Sequence, residues 1–539
     1  MPSSPSPRRS ARTVLSVLVV MLGARQARAY CREVTQSAPA GYDPTVAGCF
    51  TTDPEAGTTL PPLFWRNQCA SYSLQRNASR QVSLSDAERV AQQAFTTWST
   101  ANCPGGGNPS IVASAFPPVD CDAVPSQEHN NVIIFRDNAW PYDDSANAIG
   151  YTTLTVNLTT GEILGADIEI NTAGYVIVAD GTPPQGAYDL TSILTHETGH
   201  FLGLAHSSDS SAVMYAFYHP GSTTLEPDDV TGICSIYSPD GSRGTAQGAV
   251  ASTLCQPQPP LGFEDPCGSL DASVVATESS DGDGGNAPIA TDTLFGCGIT
   301  RGRTNGNGMA LTACGLVGLG ARARRTRRSS RRSRAIARFL ALFFAVLGVC
   351  AASSRDARAA LSVAALFDEL VRKASAIAVV TPIEQHALWE DRRVVTYTRA
   401  RVERSVAGRL DSEVWIRTLG GSVGNIGQII EGQAIFSIGG RVLVFLHPHV
   451  DSVSRRPTGT WGVVEGAQGQ FPIVVPAGQE EPRLTVSHNV GALVAPPSGG
   501  RLAREALNDR ALDDASSEIA TVWLRTRHEP EPAASPGQP

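Results

Sequence analysis

The sequence predicts two folded domains of different class: an α+β domain, with a twisted sheet and a helix that carries a metal-ligand motif, and a second, mainly-β domain. Three observations support this division. Strand-like apolar runs and two helical patterns fill residues 65–240. A segment of biased composition occupies residues 271–359. Residues 360–500 contain no cysteine and consist mostly of strand-like runs.

The elements of the first domain follow from local patterns. Ser85 and Glu88 form a capping box, which predicts a helix whose apolar positions run from Val90 to Trp98. Asp189 is the predicted N-cap of a second helix with a buried apolar side. Strands are predicted at Cys69–Leu74, Asn131–Arg136, Ile149–Val156 and Ile163–Ile170.

The second helix contains the string H-E-x-x-H-x-x-G-x-x-H, starting at His196, with every fixed position filled. Because residues four apart share a helix face, His196 and His200 can bind one metal ion. Gly203 permits a left-handed backbone that ends the helix and lets His206 supply a third nitrogen. Glu197 is the candidate general base, which takes a proton from a zinc-bound water. The string predicts one catalytic zinc site and is far more specific than H-E-x-x-H alone, which also occurs in ordinary amphipathic helices.

The residues after the third histidine point to a family. Residues 211–215 read Ser-Ala-Val-Met-Tyr and resemble the methionine turn of the metzincins, with Met214 as the structural methionine, although a methionine can also be plain core packing. This turn, Ser207 and residues 225–237 together resemble a matrixin, the family of the matrix metalloproteinases, over about residues 65–240. The resemblance implies an α+β metzincin catalytic domain and a zinc-dependent endopeptidase that acts on proteins or peptides.

The same resemblance implies a substrate-binding edge. Ile149, Gly150, Tyr151 and Thr152 fall where matrixins have the strand that holds the substrate backbone. An exposed strand edge accepts an extended peptide by strand addition. An ordinary half-buried strand has the same pattern, so both interpretations remain open for these residues.

A calcium site is a further expectation. Asp167, Glu169 and Asn171 place hard oxygen donors where the family often has calcium ligands. Alternating carboxylates on a strand also suit a solvated face. His129 is the only histidine upstream of the active-site helix, so the second, structural zinc of vertebrate matrixins is not expected.

No latency segment is visible upstream of the domain. The family's latency cysteine, in a Pro-Arg-Cys-Gly context, does not occur in the sequence. The segment before the domain, residues 30–64, contains cysteines but is too short for a prodomain with its own core. We therefore expect the exported domain to be active once folded, without a proteolytic activation step.

The N-terminus has the three parts of a secretory signal peptide over residues 1–29: three arginines, an apolar run at 14–22 and an Ala-Arg-Ala triplet at 27–29. We therefore expect a secreted or cell-surface protein whose mature form begins at Tyr30. Export makes disulfides possible, and eight of the eleven cysteines lie between positions 31 and 267. Short loops favour the pairs Cys103–Cys121 and Cys255–Cys267.

The middle of the chain carries topogenic patterns. Residues 241–293 are a cysteine-containing extension and a flexible linker, and residues 294–325 resemble the C-terminal sorting tags of myxobacterial-type surface proteins, with an apolar span at 309–320. Residues 326–359 combine an arginine-rich lead, an apolar run at 339–352 and a second Ala-Arg-Ala triplet, like an internal signal peptide. Both apolar runs are candidates for membrane contact. Because the arginines stand between two apolar runs, we expect a role in topology and no nucleic-acid binding.

Residues 360–500 are predicted to form a small β-barrel or sandwich of unknown function, with a helix at Leu366–Ala374. A terminal helix is expected over residues 501–525, and a disordered tail completes residues 501–539. The predicted strands are Ala376–Glu384, Arg393–Glu403, Glu413–Leu419, Ala434–Ile438, Arg441–Leu446 and Trp461–Glu465.

Taken together, these patterns predict a secreted zinc-dependent endopeptidase that hydrolyses the peptide bonds of proteins. The alternative is a catalytically silent matrixin-fold adhesin or binding module, with the C-terminal half as an inhibitory or anchoring domain. The intact Glu197 argues against the silent form, because a binding scaffold needs no general base. The net charge of −8 averages unlike segments and favours no class of partner.

Overall fold

The computed structural model describes residues 30–36, 49–52, 57–119, 131–179, 183–215, 220–255, 361–390, 393–450, 457–476, 478 and 480–528. The predicted signal peptide, sorting tag, arginine-rich segment, internal signal-like span and disordered tail lie outside the described residues, as do the apolar runs at 309–320 and 339–352. Among the described helices, none combines the length and the apolar character that crossing a bilayer requires.

The first domain is built on one main sheet. Its strands are β1 (Cys69–Leu74), β2 (Val112–Ala115), β3 (Val132–Phe135), β4 (Gly150–Asn157) and β5 (Ile163–Ile170). They run in the spatial order β4, β5, β3, β1, β2, and only β4 is antiparallel to its neighbour. Two small strand pairs complete the domain: β6 (Val176–Val178) with β7 (Ala187–Asp189), and β8 (Ser242–Thr245) with β9 (Gly248–Ala251).

Three helices pack with this sheet: α1 (Leu84–Ser99), α2 (Leu190–Phe201) and α3 (Pro227–Ile236). The buried face of α1 is the predicted one, from Val90 to Trp98. The predicted capping box at Ser85 is wrong, because α1 starts earlier: Ser83 is the N-cap and its hydroxyl accepts a hydrogen bond from the amide of Asp86. The indole of Trp98 donates to the backbone carbonyl of Thr195 at 2.8 Å, which ties α1 to α2.

The disulfides in the described residues are Cys31–Cys49, Cys69–Cys255 and Cys103–Cys234. Both predicted pairs, Cys103–Cys121 and Cys255–Cys267, are therefore wrong. Short loops favoured them, but the entropy of loop closure grows only slowly with loop length. The fold decides the pairing instead: a β-bridge between Asn67 and Thr253 sets Cys69 beside Cys255.

The second domain, residues 361–528, contains a closed barrel, which confirms the mainly-β prediction. Its strands include β11 (Ala376–Glu390), β12 (Arg393–Ala407), β13 (Glu413–Leu419), β16 (Val442–Val450), β17 (Pro457–Val463), β18 (Gln470–Val474) and β19 (Arg483–Leu484). The barrel runs through β11, β12, β13, β17 and β16 and closes where β16 pairs with β11.

The predicted strand at residues 434–438 is wrong. This segment has no strand partner, and Ala434 and Phe436 are buried in the apolar cluster of the barrel strands. The side chain of Gln470 hydrogen-bonds both the amide and the carbonyl of Ile435, in place of a neighbouring strand. The apolar pattern therefore reflects burial rather than a strand.

Helices α4 (Phe367–Lys373), α5 (Ala503–Leu507) and α6 (Leu512–His528) pack on the barrel around a second apolar cluster. The terminal helix predicted over residues 501–525 is divided into α5 and α6. The chain turns between them, where Asp509 has a φ of +58°.

A hairpin of the second domain joins the sheet of the first. Its strands are β14 (Gly421–Val423) and β15 (Ile426–Ile430), which no pattern predicted. β15 pairs antiparallel with β4, so the first sheet has seven strands in the folded chain. A further short pair, β10 (Leu361–Val363) and β20 (Ala492–Val494), lies beside residue 148, which bridges to Ser362.

Candidate active site

The helix that carries the metal-ligand string, α2, begins at a capped N-terminus. The carboxylate of Asp189 accepts hydrogen bonds from the backbone amides of Thr191 and Ser192, each at 3.1 Å. This confirms the predicted N-cap, and a negative charge at this end also suits the helix dipole. All 12 residues of α2 are buried, so the packing holds the helix on every side.

Three imidazoles converge at the end of α2. The Nε2 atoms of His196 and His200, one helical turn apart, lie at 3.1 Å from each other. The helix then stops at Gly203, which has a φ of +90°, and a Cβ there would lie 3.0 Å from the carbonyl oxygen of Leu63. The chain turns back so that Nε2 of His206 lies 3.1 Å from Nε2 of His196.

Backbone carbonyls orient two of the rings. Nδ1 of His196 donates to the carbonyl of Val213, and Nδ1 of His200 donates to the carbonyl of Leu204, both at 2.8 Å. A ring that donates through Nδ1 keeps a lone pair on Nε2, the atom that faces the other rings. Burial lowers the pKa of His196 to about 4 and also lowers the pKa of His200 and His206. The rings are therefore neutral, which is the form that binds a metal.

The three nitrogens fit a zinc ion. Tetrahedral zinc with Zn–N bonds of about 2.0–2.1 Å places its ligand nitrogens about 3.3 Å apart. The two measured Nε2–Nε2 separations of 3.1 Å agree with this geometry. Three protein ligands are the number found in catalytic zinc sites, where a fourth position is left for water or substrate.

The carboxylate of Glu197 lines the same cavity as His200 of the triad and is fully buried. Oγ1 of Thr152 donates to its Oε2 at 2.5 Å. Gly150 permits the close approach of β4, because a Cβ there would lie 3.3 Å from Oε1 of Glu197. Burial raises the pKa of Glu197 to about 7, although hydrogen bonds from Thr152 and from the backbone amide of Leu361 lower it. A carboxyl with such a pKa can exchange a proton near neutral pH.

The part of the chain that contains this site matches one protein family. The matrixin family model matches residues 64–238, which include the three histidines and Glu197. Residues 64–238 are a matrixin domain.

The chain is similar to several matrix metalloproteinases over this region. It is 31% identical over 100 residues to the probable matrix metalloproteinase 095L of Invertebrate iridescent virus 3, which covers 19% of this chain and 26% of that protein. It is 26% identical over 182 residues to human matrix metalloproteinase-20, with 32% of each chain covered. It is 27% identical over 199 residues to human neutrophil collagenase, covering 36% of this chain and 37% of that protein.

The chain therefore spans between 26% and 37% of the length of these three relatives. The matched part is the matrixin domain, and the second domain lies outside it. The family and these relatives support a zinc metalloendopeptidase. The family also implies zinc as the metal for the histidine triad.

The predicted methionine turn of the matrixin domain lies against α2. Met214 is buried, its carbonyl accepts a hydrogen bond from the amide of Ser207, and its sulfur fills the space beside Gly199 of α2. The carboxylate of Asp229, from α3, accepts hydrogen bonds from the amides of Val213 at 2.8 Å and Met214 at 3.0 Å. Asp229 was not singled out from the sequence. Asp229 lies in the first turn of α3, where its carboxylate also accepts a hydrogen bond from the amide of Glu226 in a capping box, and that local pattern could have identified it.

The predicted substrate-binding residues 149–152 lie at the start of β4, next to the Glu197 carboxylate described above. Their outer side contacts the second domain. The amide of Ile149 donates to the carbonyl of Leu361 at 2.7 Å, and the side-chain amide of Gln433 donates to the hydroxyl of Tyr151 at 3.2 Å. The edge that the matrixin resemblance assigns to substrate is thus in contact with the protein's own chain.

The three side chains predicted to bind calcium are buried and have protein partners. Glu169 lies between the guanidinium groups of Arg136 and Arg393 and forms ion pairs with both. Asp167 and Asn171 hydrogen-bond to backbone groups. The positive charge beside Glu169 therefore comes from Arg136 and from Arg393 of the second domain. Calcium binding by Asp167, Glu169 and Asn171 stays a prediction.

Two carboxylates near the triad were not predicted. Glu33 comes from the N-terminal segment, where its amide donates to the carbonyl of Gly203, and Glu431 directly follows β15. One oxygen of each and a ring nitrogen of His200 all lie within 4.8 Å of one another. Both residues are remote from the motif in sequence and no local pattern marks them, so the folded chain alone reveals them.

Proposed function

We propose that this protein is a secreted zinc-dependent endopeptidase whose catalytic site lies in the matrixin domain. The observation that carries the proposal is the convergence of three neutral imidazole nitrogens beside the buried carboxylate of Glu197. A structural metal site needs no base and is closed by a fourth protein ligand, whereas this arrangement has three histidines and an adjacent proton acceptor.

The roles of the residues follow from their positions. A zinc ion bound by His196, His200 and His206 would polarise the carbonyl of the scissile peptide bond and lower the pKa of water at the site. Glu197 accepts the proton of the attacking water and returns it to the leaving amine. The hydrogen bond from Thr152 holds its carboxylate in place, and burial keeps its pKa near 7, so both steps are possible near neutral pH.

The substrate would be an extended protein segment. β4 is the edge strand of the matrixin domain's own five strands, and its first residues, 149–152, lie next to Glu197. An extended backbone that pairs with this edge would lie across the metal site, as strand addition requires. Folded regions cannot offer such a backbone, so we infer that unfolded or looped segments are cut.

We also propose export through residues 1–29. The charged, apolar and small-residue parts of this segment support a cleavable signal, and the disulfides of the described residues suit an oxidising compartment. N-terminal sequencing of the secreted protein should return Tyr30 as the first residue. A first residue other than Tyr30 would contradict the proposed cleavage site.

Metal analysis joined to a cleavage assay tests the enzymatic proposal. The purified full-length chain should contain about one zinc ion. The chain carrying Ile429→Asp, a substitution in the cavity that Glu197 and His200 line, should cut unfolded casein. Removal of zinc by 1,10-phenanthroline should abolish cleavage, and added zinc should restore it. An Ile429→Asp chain that binds casein but does not cut it, with zinc bound, would instead favour the silent adhesin, which the family match does not favour.

A further inference from the structure

The second domain occupies the edge at which a substrate would pair. In the matrixin domain, β4 has β5 on one side only, so its other side is free to bind an extended chain. In the folded protein β15 pairs with this side, antiparallel, from Ile426 opposite Asn157 to Ile430 opposite Thr153. Beyond Ile430 the chain continues toward Thr152, whose hydroxyl donates a hydrogen bond to Glu197.

The side chain of Ile429 enters the catalytic cleft. Ile429 pairs with Leu154 of β4, is only 8% exposed, and belongs to the apolar cluster of the matrixin domain rather than to that of its own barrel. It lines the same cavity as Glu197 and His200. Both the backbone and the side chain of β15 therefore take space that an extended substrate would need.

Glu431, the residue after β15, lies close to the metal-ligand candidate His200. Glu431 has a carboxylate oxygen within 4.8 Å of a ring nitrogen of His200 and of an oxygen of Glu33. Carboxylate oxygens are zinc ligands in proteins. Glu431 also lines the cavity of Glu197 and His200, so it brings a carboxylate that can bind zinc to this cavity.

A second segment of the same domain reaches the general base. The carbonyl of Leu361 accepts a hydrogen bond from Ile149, and its amide faces the carboxylate of Glu197. Leu361 is 2% exposed and packs in the apolar cluster of the matrixin domain. The second domain therefore approaches the metal ligand His200 through Glu431, which follows β15, and the general base Glu197 through Leu361.

Buried charges make this interface specific. Arg393 of β12 pairs with Glu169 of the matrixin domain, with side-chain exposures of 7% and 0%. At the same interface Nε2 of His447 lies 2.9 Å from Oδ1 of Asp144. A buried ion pair is costly unless its partners meet in good geometry, so the Arg393–Glu169 pair indicates a complementary interface rather than an incidental contact.

We propose that the second domain is a built-in inhibitor of the matrixin domain, which binds the catalytic cleft through β15, Glu431 and Leu361. This inference rests on the proposed peptidase function, and it differs from the silent adhesin because the catalytic groups are intact. It also replaces the expectation that the domain is active once folded. Activity requires the second domain to leave the cleft.

The test measures access to the cleft without relying on catalysis. Full-length, zinc-loaded chain carrying Glu197→Gln is titrated with a dansyl-labelled tripeptide hydroxamate, which chelates zinc and needs the free β4 edge. Adding Ile429→Asp should tighten hydroxamate binding at least about tenfold. A carboxylate buried in the cleft destabilises the closed form by more than the free energy of a tenfold change in affinity, so the second domain should leave the cleft. The matched control is Ile438→Asp, at a residue of the same domain that is 51% exposed, and it should leave the affinity unchanged.

Failure of the inhibitor proposal and failure of the peptidase proposal give different results. If the chain with native Ile429 already binds the hydroxamate as tightly as the Ile429→Asp chain, the cleft is open and the inference is overturned. If Ile429→Asp tightens binding but the corresponding chain with native Glu197 cuts no casein, the inhibitor stands and the peptidase proposal fails.

A milder variant tests Glu431 and does not depend on how Ile429→Asp folds. In the cobalt-substituted full-length chain, Glu431→Gln should change the visible absorption of the metal, because a carboxylate beside the ion is lost. Glu413→Gln, at an exposed position of β13, is the control and should leave the spectrum unchanged. Identical spectra for Glu431→Gln and the native chain would overturn the placement of Glu431 at the metal.

Discussion

The sulfur of Met214 fills the space in which a side chain at Gly199 would lie. Gly199 lies on α2 between the two metal-ligand candidates His196 and His200. A Cβ at this position would overlap the Met214 sulfur and would lie 2.8 Å from the ring of Trp98. The methionine turn thus supports the helix at the one residue that has no side chain.

Gly199→Ala should destabilise the protein despite the better helix propensity of alanine. Overpacking of this kind costs about 1–3 kcal/mol, and the displaced helix turn should also weaken zinc binding. Thermal unfolding and zinc affinity are the measurements. Gly499→Ala is the control, because a Cβ there meets nothing within 4 Å, and an equal loss of stability in both variants would contradict the account.

The stability of the folded chain should depend on pH through the buried carboxyl of Asp167. Burial raises the pKa of Asp167 well above the usual range of a carboxyl, to about 7. Because the folded chain holds this proton more tightly than the unfolded chain, its contribution to stability is greatest below about pH 4 and is lost as the pH rises to about 7.

Asp167→Asn should remove this dependence while its carbonyl still accepts the hydrogen bond from Val132. The difference in melting temperature between the variant and the native protein should grow in favour of the variant from pH 4.5 to pH 7.5. A constant difference over this range would show that Asp167 is ionised in the folded protein throughout.

Arg393→Met should destabilise the folded chain, because Glu169 would keep only one of its two buried guanidinium partners. Breaking a buried pair costs about 3–5 kcal/mol, and the remaining pair with Arg136 should reduce that cost. Arg399→Met is the control, since Arg399 is 38% exposed in its pair with Glu384 and such pairs contribute little. Thermal unfolding that is equally affected by both substitutions would contradict a special role for the Arg393–Glu169 pair.

The sequence predicted the convergence of the three candidate metal ligands but not their surroundings. The positions of His196, His200 and His206 follow from helix geometry and one glycine, and the convergence of their nitrogens agrees with that local prediction. Strand β5 was predicted with its observed bounds, because both its ends carry turn residues. Local patterns work where neighbours in sequence determine the structure.

Long-range contacts were beyond such patterns. Cys69 pairs with Cys255 because two distant segments form a β-bridge, and loop length gave no indication of it. Glu431 reaches His200 only through the pairing of β15 with β4. The short strands β14 and β15 contain glycines, and no local pattern predicted them, because their stabilising partner belongs to the other domain.

In the full-length chain carrying Ile429→Asp, His206→Ala should lower zinc affinity and activity together, since the triad would retain two nitrogens. Two-nitrogen sites bind zinc far more weakly than three-nitrogen sites, so dialysed protein should contain well under one zinc per chain. Zinc content by atomic emission and casein cleavage are the measurements. Retention of a full equivalent of zinc would show that His206 is not a ligand.

The substitution Glu197→Gln tests the central claim most directly, because it separates metal binding from proton transfer. Turnover and zinc content are measured in the full-length chain carrying Ile429→Asp, with Glu88→Gln, at an exposed position of α1, as the control. The account predicts zinc content unchanged from the control and turnover reduced by at least about 10²-fold, the lower range for general acid–base catalysis. Turnover equal to that of the control, or loss of zinc with the substitution, would contradict the role of Glu197 as the general base.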